Sequence, residues 1–240
     1  MSATPAPAHI LEVRGIHTFI GEFHILEGVT VEVPPGSITV LLGRNGAGKT
    51  TTLRSIIGLA PPRAGEIVFN SVPIHGLRAH KIAQMGIGYV PEKRIIFRDL
   101  TVGENLLIAE REKGDLDRKA DLIFGLFPDL KRLYNLSGGH LSGGQQQMLA
   151  IARALVADNS LLLIDEPSEG LAPVLIEHMM EAIRQLSAST TVLLVEQNFQ
   201  VASQLAERYV IIEEGISVHS GRMADLVQDQ ALITTYLGVA

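Results

Sequence analysis

The residues that decide the fold are 43–50, which read Gly43-Arg44-Asn45-Gly46-Ala47-Gly48-Lys49-Thr50. They follow an apolar run, Ile38–Leu42, and precede a segment, Lys49–Ile57, whose pattern predicts a helix. A strand, a glycine-rich turn and a helix form the context that a phosphate-binding loop of the form G-x-x-x-x-G-K-S/T requires. An ordinary glycine turn does not explain a lysine and a threonine at the start of the helix. The stretch therefore predicts a nucleotide-binding site.

The chemistry of this loop suits phosphate. Glycines let the backbone approach closely, so that successive amide N–H groups can point at phosphate oxygens. The helix N-terminus behind them carries roughly half a positive charge and favours an anion. We expect Lys49 to reach the outer phosphates, the Thr50 hydroxyl to ligate Mg²⁺, and the adjoining Thr51 to belong to the same site.

Composition narrows the class of protein. The chain has 240 residues, of which 46% are hydrophobic and 19% charged, so we expect a folded, soluble protein. A net charge of −6 without a basic block argues against nucleic acid as the main partner. No apolar run approaches the about 18–20 residues that span a bilayer, so direct membrane insertion is not expected. The absence of cysteine excludes disulfides and thiol chemistry, and the cytoplasm is the expected compartment.

The order of patterns along the chain predicts an α/β fold. Strand-like runs between Ile10 and Val33, separated by Thr18–Phe23, and a strand at Glu66–Val72 indicate an antiparallel β portion at the N-terminus. Helical patterns between residues 92 and 140 indicate a helical subdomain inserted into a mostly parallel core sheet. We expect one domain over residues 10–240, with a disordered tail at residues 1–9.

A second glycine-rich helix start follows the predicted insertion. Ser142 is placed to cap this helix, and Gln145 three residues later completes a capping box. Two consecutive glycines, Gly143 and Gly144, disfavour a helical first turn. They are better explained if backbone amides approach a phosphate there.

A pair of carboxylates ends the next buried strand. The run Leu161–Ile164 is continuously apolar, which is typical of a parallel strand covered on both faces. Asp165 and Glu166 then lie at the sheet edge where ligands of open α/β sheets bind. By itself such a pair is often only a solvated loop. Downstream of a phosphate loop it is interpreted as a Walker B strand, with Asp165 in the Mg²⁺ shell and Glu166 acting on the attacking water.

A phosphate loop, then Leu-Ser-Gly-Gly-Gln, then Asp-Glu-Pro after an apolar strand resembles the ATP-binding cassette (ABC) ATPases over about Leu11–Leu237. The resemblance implies the P-loop fold of these ATPases, with ATP and Mg²⁺ as ligands. It also implies a head-to-tail dimer, in which ATP on the phosphate loop of one subunit is capped by Ser142, Gly143, Gly144 and Gln145 of the other.

Other segments look like one subgroup, the second ATPase subunit of branched-chain amino-acid importers (the LivF type). These segments are Val90-Pro91-Glu92, Ser168-Glu169-Gly170-Leu171-Ala172-Pro173, Val195-Glu196-Gln197-Asn198 and Tyr236-Leu237-Gly238. The resemblance places Glu92 near the metal and Gln197 in the position of the histidine that usually contacts the γ-phosphate. Where members carry an aromatic residue for adenine, this chain has Ile20 with Phe19 beside it, so either side chain is a candidate for the base contact.

The resemblance also implies partners: a second ABC ATPase subunit, most simply a different one, transmembrane permease subunits and, indirectly, a solute-binding protein. Such a subunit lies peripherally on the cytoplasmic face of the membrane. Ile95–Phe97, an apolar run without a clear period, is the candidate for docking a membrane subunit. The alternatives are the ATPase of a urea, amide or lipid transporter, and a soluble cassette protein of translation or DNA repair.

Overall fold

A computed structural model describes residues 8–238, so that residues 1–7 of the predicted N-terminal tail lie outside the described residues. The strands of this range are β1 Leu11–Ile20, β2 Phe23–Val33, β3 Ile38–Leu42, β4 Ala64–Phe69, β5 Val72–Pro73, β6 Ile87–Val90, β7 Leu161–Asp165, β8 Thr191–Val195, β9 Arg208–Glu213 and β10 Ile216–Arg222. Its α-helices are α1 Lys49–Ile56, α2 Ala79–Gln84, α3 Val102–Leu107, α4 Asp115–Leu126, α5 Pro128–Arg132, α6 Gly143–Val156, α7 Pro173–Ser187, α8 Phe199–Leu205, α9 Met223–Leu226 and α10 Gln230–Leu237.

The larger sheet has the strand order β10-β9-β3-β8-β7-β6. All neighbouring pairs are parallel except β10 with β9, which closes one edge as an antiparallel hairpin. Every residue of β3, β7 and β8 is buried, because both faces of the sheet are covered. The predicted mostly parallel core sheet is therefore confirmed.

The smaller sheet is antiparallel, with the order β2-β1-β4-β5. The two sheets pack face to face through side chains such as Leu26 and Ile67, and Leu41 of β3 belongs to this apolar cluster. The neighbouring Val40 and Leu42 point to the opposite face of the core sheet, into a second cluster formed with the helices. Successive side chains of β3 therefore point alternately into two apolar clusters, one on each face of the core sheet.

Helices α3 to α6 lie between β6 and β7 in the chain, and α3 and α4 contact α6. Their position agrees with a helical insertion, whose limits at about residues 92 and 140 stay a prediction. The capping box at the start of α6 is confirmed, since Gln145 N donates to Ser142 Oγ and Ser142 N donates to Gln145 Oε1.

Several predicted boundaries were wrong. Thr18–Ile20 continue β1, because the turn between β1 and β2 occupies only two residues. Glu66–Val72 is not one strand: Asn70 and Ser71 adopt positive φ and fold the chain into the β4–β5 hairpin. The C-terminal helical pattern from Met223 to Leu237 predicts one helix, but the chain is interrupted at residues 227–229 and forms two helices there.

Candidate active site

The phosphate loop connects β3 to α1 and has the backbone shape that its glycines permit. Gly43, Gly46 and Gly48 all have positive φ. At Gly43 a Cβ atom would lie 2.1 Å from the carbonyl oxygen of Ile212, so no other residue fits without moving β9. The close approach of the loop to the core sheet therefore depends on this glycine.

A cavity of about 440 Å³ opens over this loop. It is lined by Ile20, Ile25, Asn45, Gly46, Ala47, Gly48, Lys49, Thr50, Thr51, Glu92, Glu166, Glu169 and Gln197. The structure thus brings together most of the residues that the sequence predicted for nucleotide and metal. Of the same prediction, Gly43, Arg44, Phe19, Asp165 and the four residues 142–145 do not line it.

Lys49 is the buried cation of the cavity. Its ammonium group donates to the carbonyl oxygens of Gly43 at 2.9 Å and Arg44 at 3.2 Å. A Glu166 carboxylate oxygen lies 3.5 Å from the same nitrogen. The lysine is thus held beside the loop, in position to meet a phosphate that enters the cavity.

Asp165 is fully buried and accepts two hydrogen bonds. Thr50 Oγ1 donates to its Oδ1 at 3.0 Å, and the Tyr89 hydroxyl donates to its Oδ2 at 3.4 Å. Burial raises the pKa of Asp165 to about 6; the Thr50 hydrogen bond opposes this rise, and the charges of Glu166 and Glu92 add to it. A cation near this carboxylate would offset the free-energy cost of keeping its negative charge buried.

Glu166 has a strained backbone, with φ of +44°. Its N–H donates to the carbonyl of Val195 at the end of β8, which helps to hold the residue in the left-handed region. Non-glycine residues in this region are uncommon and concentrate at functional sites. The strain turns the side chain from the core towards Lys49 and the cavity.

Sequence reasoning missed Glu196, which is 1% exposed. Its carboxylate accepts hydrogen bonds from the Ser168 N–H and hydroxyl and from the Asn198 N–H. Burial raises its pKa. Glu196 thus ties the loop after β7 to the loop that carries Gln197. The available signal was an acidic residue directly after an apolar strand, the same signal that identified Asp165.

A second missed residue, Arg94, connects three segments. Its guanidinium donates to Gln147 Oε1 on α6 at 3.2 Å and to the carbonyl of Glu169 at 3.1 Å. Glu92, two residues earlier, lines the cavity. The segment after β6 is therefore joined both to α6 and to the loop beyond Glu166.

Geometry favours Ile20 over Phe19 as the candidate for the base contact. The Phe19 ring stacks on His24 at 4.2 Å between centroids, and the Arg63 guanidinium lies 4.2 Å from the same ring. Two groups this close must take opposite faces of the ring, so Phe19 offers no face to a base. The expectation that Phe19 takes this role is not supported, whereas Ile20 is 43% exposed and lines the cavity with Ile25.

The start of α6 lies away from the cavity of its own chain. Ser142 and Gly143 are exposed, whereas Gly144 is buried against Leu175, where a Cβ atom would come within 2.3 Å of Leu175 Cδ1. Packing thus accounts for Gly144 without a phosphate. The exposed Ser142 end of the helix is therefore not part of the nucleotide cavity of its own chain.

The donor set fits Mg²⁺ better than a metal held by protein alone. Among residues 8–238, no group of three or more histidine, cysteine or acidic side chains is placed to hold a metal ion. Thr50 and Asp165 present two adjacent oxygens, which suits Mg²⁺ because it keeps waters and phosphate oxygens in its shell. The described helices also include none long and apolar enough to cross a bilayer.

Comparisons with known proteins agree with this geometry. Residues 26–169 match the family described as ABC transporter. The chain is 41% identical to the high-affinity branched-chain amino acid transport ATP-binding protein BraG of Pseudomonas aeruginosa, over 95% of this chain and 100% of that protein. It is 35% identical to the probable branched-chain amino acid transport protein LivF of Archaeoglobus fulgidus (91% and 94%). It is 34% identical to the lipopolysaccharide export protein LptB of Escherichia coli (89% and 91%).

Solved structures share the fold. An ATP-binding cassette of an ABC transporter in its ADP conformation superimposes with a TM-score of 0.85 at 26% identity, over 97% of this chain and 100% of that one. A dimeric bacterial ABC transporter cassette gives a TM-score of 0.78 at 25% identity, over 89% and 98%.

Proposed function

The chain belongs to the ABC transporter family of ATP-hydrolysing subunits, and from that premise we propose that it drives uptake of branched-chain amino acids through separate transmembrane subunits. The observation that carries the proposal is the pairing of Lys49 with Glu166 across the phosphate-loop cavity, beside the Thr50–Asp165 hydrogen bond. The solute class rests on two branched-chain amino acid relatives that match almost the whole chain.

The catalytic sequence begins with Lys49. Its ammonium group has three donors, and in this structure three acceptors surround it: two loop carbonyls and Glu166. The γ-phosphate of ATP displaces the longest of these contacts, to Glu166. The carboxylate is then available to accept a proton from the attacking water, while Lys49 stabilises the charge that develops on the phosphate.

Metal binding is assigned to Thr50, Asp165 and Glu92. Mg²⁺ bound there would neutralise phosphate charge and orient the outer phosphates. Without it, Asp165 lies close to other carboxylates, and its pKa is raised by burial first and then by the charges of Glu166 and Glu92. Gln197 lines the same cavity, and its side-chain NH₂ group donates a hydrogen bond to the γ-phosphate but cannot take up a proton.

The working unit contains two ATPase subunits. Ser142 and its neighbours cap the nucleotide of the opposite chain, because they do not line their own cavity. The alignment of this chain with a dimeric cassette supports the same arrangement. A different sister ATPase, transmembrane permease subunits and an indirectly coupled solute-binding protein complete the assembly, on the cytoplasmic face of the membrane.

Reconstitution with transmembrane permease subunits of a branched-chain amino-acid importer would test this function. Proteoliposomes that contain the assembly should take up labelled leucine or valine when ATP is present on the ATPase side, and Glu166→Gln should stop uptake. Uptake of urea, or extraction of lipid without amino-acid transport, would overturn the solute assignment. The lipid alternative has its own support in LptB, at lower identity.

A further inference from the structure

A second cavity, which we call the inter-sheet cavity, lies between the two β-sheets and shares no lining residue with the nucleotide cavity. Its volume is about 180 Å³. Its main polar walls are Thr30 and Glu32 of β2, Thr39 of β3, Arg208 of β9 and Ser220 of β10. The interface between the sheets is apolar elsewhere, as Leu41 and Ile212 illustrate. A polar cavity at this position therefore needs an explanation.

Thr39 provides the first sign of a ligand. It is 0% exposed, and its hydroxyl has no hydrogen-bond partner among the residues that the structure describes. A buried hydroxyl without a partner is costly. Because Thr39 lines the inter-sheet cavity, a molecule in the cavity would satisfy the hydroxyl.

Two arginines provide the second sign. Arg208 and Arg222 are directly opposite each other on the antiparallel strands β9 and β10, so their side chains leave the sheet on the same face. Like charges in this relation repel. Within residues 8–238, no carboxylate lies within 4.0 Å of either guanidinium. An anion in the cavity beside Arg208 would relieve the repulsion.

Glu32 makes the opposite wall acidic. It lies beyond 4.0 Å from Arg208, and the only ion-pair partner within that distance in the described chain is His9, at 3.6 Å. The cavity thus separates a carboxylate from a guanidinium by more than a direct ion pair allows. A ligand with both charges can bridge the two walls, whereas a simple anion such as phosphate would face Glu32.

We propose that the inter-sheet cavity binds a small α-amino acid, with its carboxylate at Arg208 and Thr39 and its ammonium group at Glu32. The small volume restricts the side chain, since sites for larger ligands occupy about 300–1,000 Å³. Glycine and alanine are the probes of matching size. This site does not depend on the transported solute or on the nucleotide site.

Isothermal titration calorimetry on the full-length chain tests the site, with glycine and alanine against acetate, methylamine and inorganic phosphate. Glycine or alanine should bind, with acetate at least ten-fold weaker because it leaves Glu32 without a partner. Arg208→Gln should abolish binding. Thr39→Val, which keeps the shape but removes the hydroxyl, should weaken it about ten-fold or more.

Arg132→Gln is the matched control, because Arg132 is an exposed arginine on α5 whose partner is Asp129. It should leave amino-acid binding unchanged, and ATP binding should be normal in all three variants as a check of folding. The proposal is overturned by a lack of heat with both amino acids, by binding that survives Arg208→Gln and Thr39→Val, or by phosphate binding more tightly than glycine.

Discussion

Lys49 shows how a single residue can prepare a site for its substrate. All three of its ammonium protons have acceptors nearby, and Glu166 is the most distant of them. The loop carbonyls hold the ammonium group in place, so the phosphate has only the Glu166 contact to replace. We expect the same exchange to free Glu166 from its ion pair so that it can act as a base. We therefore expect ATP binding to depend mainly on Lys49 and ATP hydrolysis to depend mainly on Glu166.

Lys49→Ala should largely abolish ATP binding, because the outer phosphates lose their cation. Glu166→Gln should retain binding and stall hydrolysis, which traps an ATP-bound dimer. Nucleotide affinity and turnover are measured on both variants. An equal loss of affinity in the two would contradict the separation of roles.

We expect the side chain at position 20 to set how tightly the adenine base is held. Ile20→Tyr should raise ATP affinity by about two- to ten-fold, since an aromatic ring stacks on the base. Phe19→Leu is the matched control, and it should leave ATP affinity unchanged, because His24 and Arg63 occupy both faces of that ring. Titration with a fluorescent ATP analogue measures both. A loss of affinity in Phe19→Leu would mean that this ring turns towards the nucleotide.

Asp165 makes the metal-free protein less stable as pH rises. Its pKa is about 6 in the folded chain, against the ordinary aspartate value of 3.8, so the carboxyl group releases its proton at lower pH in the unfolded chain. Stability is therefore lost between about pH 4 and pH 6 and stays low above that range. The penalty is about 3 kcal/mol, from 1.36 kcal/mol per pKa unit.

Asp165→Asn should remove this penalty. Without nucleotide and Mg²⁺, its free energy of unfolding should exceed that of the wild type by about 3 kcal/mol at pH 8 and by about half of that at pH 5. Urea titrations at several pH values give the comparison. Asp121→Asn, on the exposed side of α4, controls for the loss of one carboxylate. A gain that does not depend on pH would rule out ionisation as the cause.

At the scale of elements, the segment after β6 connects the site to a surface groove. Arg94 ties this segment to α6 and to Glu169, and the groove beside it is lined by Glu92, Ile95 and Ile96 among others. The three apolar residues of the segment are not equivalent. Ile95 is 67% and Phe97 48% exposed, whereas Ile96 packs against the core. The sequence pattern predicts all three as one docking surface, whereas in the structure Ile96 is packed against the core and only Ile95 and Phe97 are exposed.

Replacing Ile95 and Phe97 by serine should lower the free energy of unfolding by less than about 1 kcal/mol and still weaken assembly with the permease subunits. Ile96→Ser should instead cost about 2 kcal/mol, because it removes core packing. Leu59→Ser changes an exposed apolar residue that does not line this groove and should alter neither property. Unfolding curves and co-purification yields give the two readouts. Normal assembly of the Ile95/Phe97 double variant would exclude this docking surface.

At the scale of the whole molecule, we expect the catalytic site to be complete only when two chains meet. The Ser142 end of α6 is exposed and does not line the cavity of its own chain, which leaves it accessible to the nucleotide of another subunit. Gln197 lines the cavity but cannot carry charge, unlike a histidine at the γ-phosphate. Glu92 adds a negative charge at the same site. A sister subunit with a histidine would therefore form a second site of different activity.

We expect unequal hydrolysis at the two sites of the assembled transporter. Turnover is measured after the glutamate equivalent to Glu166 is changed to glutamine in each ATPase subunit in turn. The loss should be smaller when this chain carries the change, because its site lacks the charge-adapting histidine. Equal losses, or full activity of a homodimer of this chain, would contradict the pairing argument.

The sequence determined the fold class and the phosphate loop because their signals are local. A glycine-rich turn between a buried strand and a helix specifies its own conformation, and continuous apolar runs such as 161–164 require a sheet covered on both faces. The capping box of α6 is equally local, and the structure confirms it. The residues that the sequence proposed around Lys49 and Glu166 accordingly line one cavity.

Only the tertiary structure decided what depends on neighbours distant in sequence. His24 and Arg63 remove Phe19 from the base site, and Leu175 gives Gly144 a packing role. Burial raises the pKa of Asp165 and makes Glu196 a link between two loops. The pattern of apolar residues along the sequence does not reveal these contacts. Their energies depend on which surfaces are removed from water when the two sheets and the helices pack together.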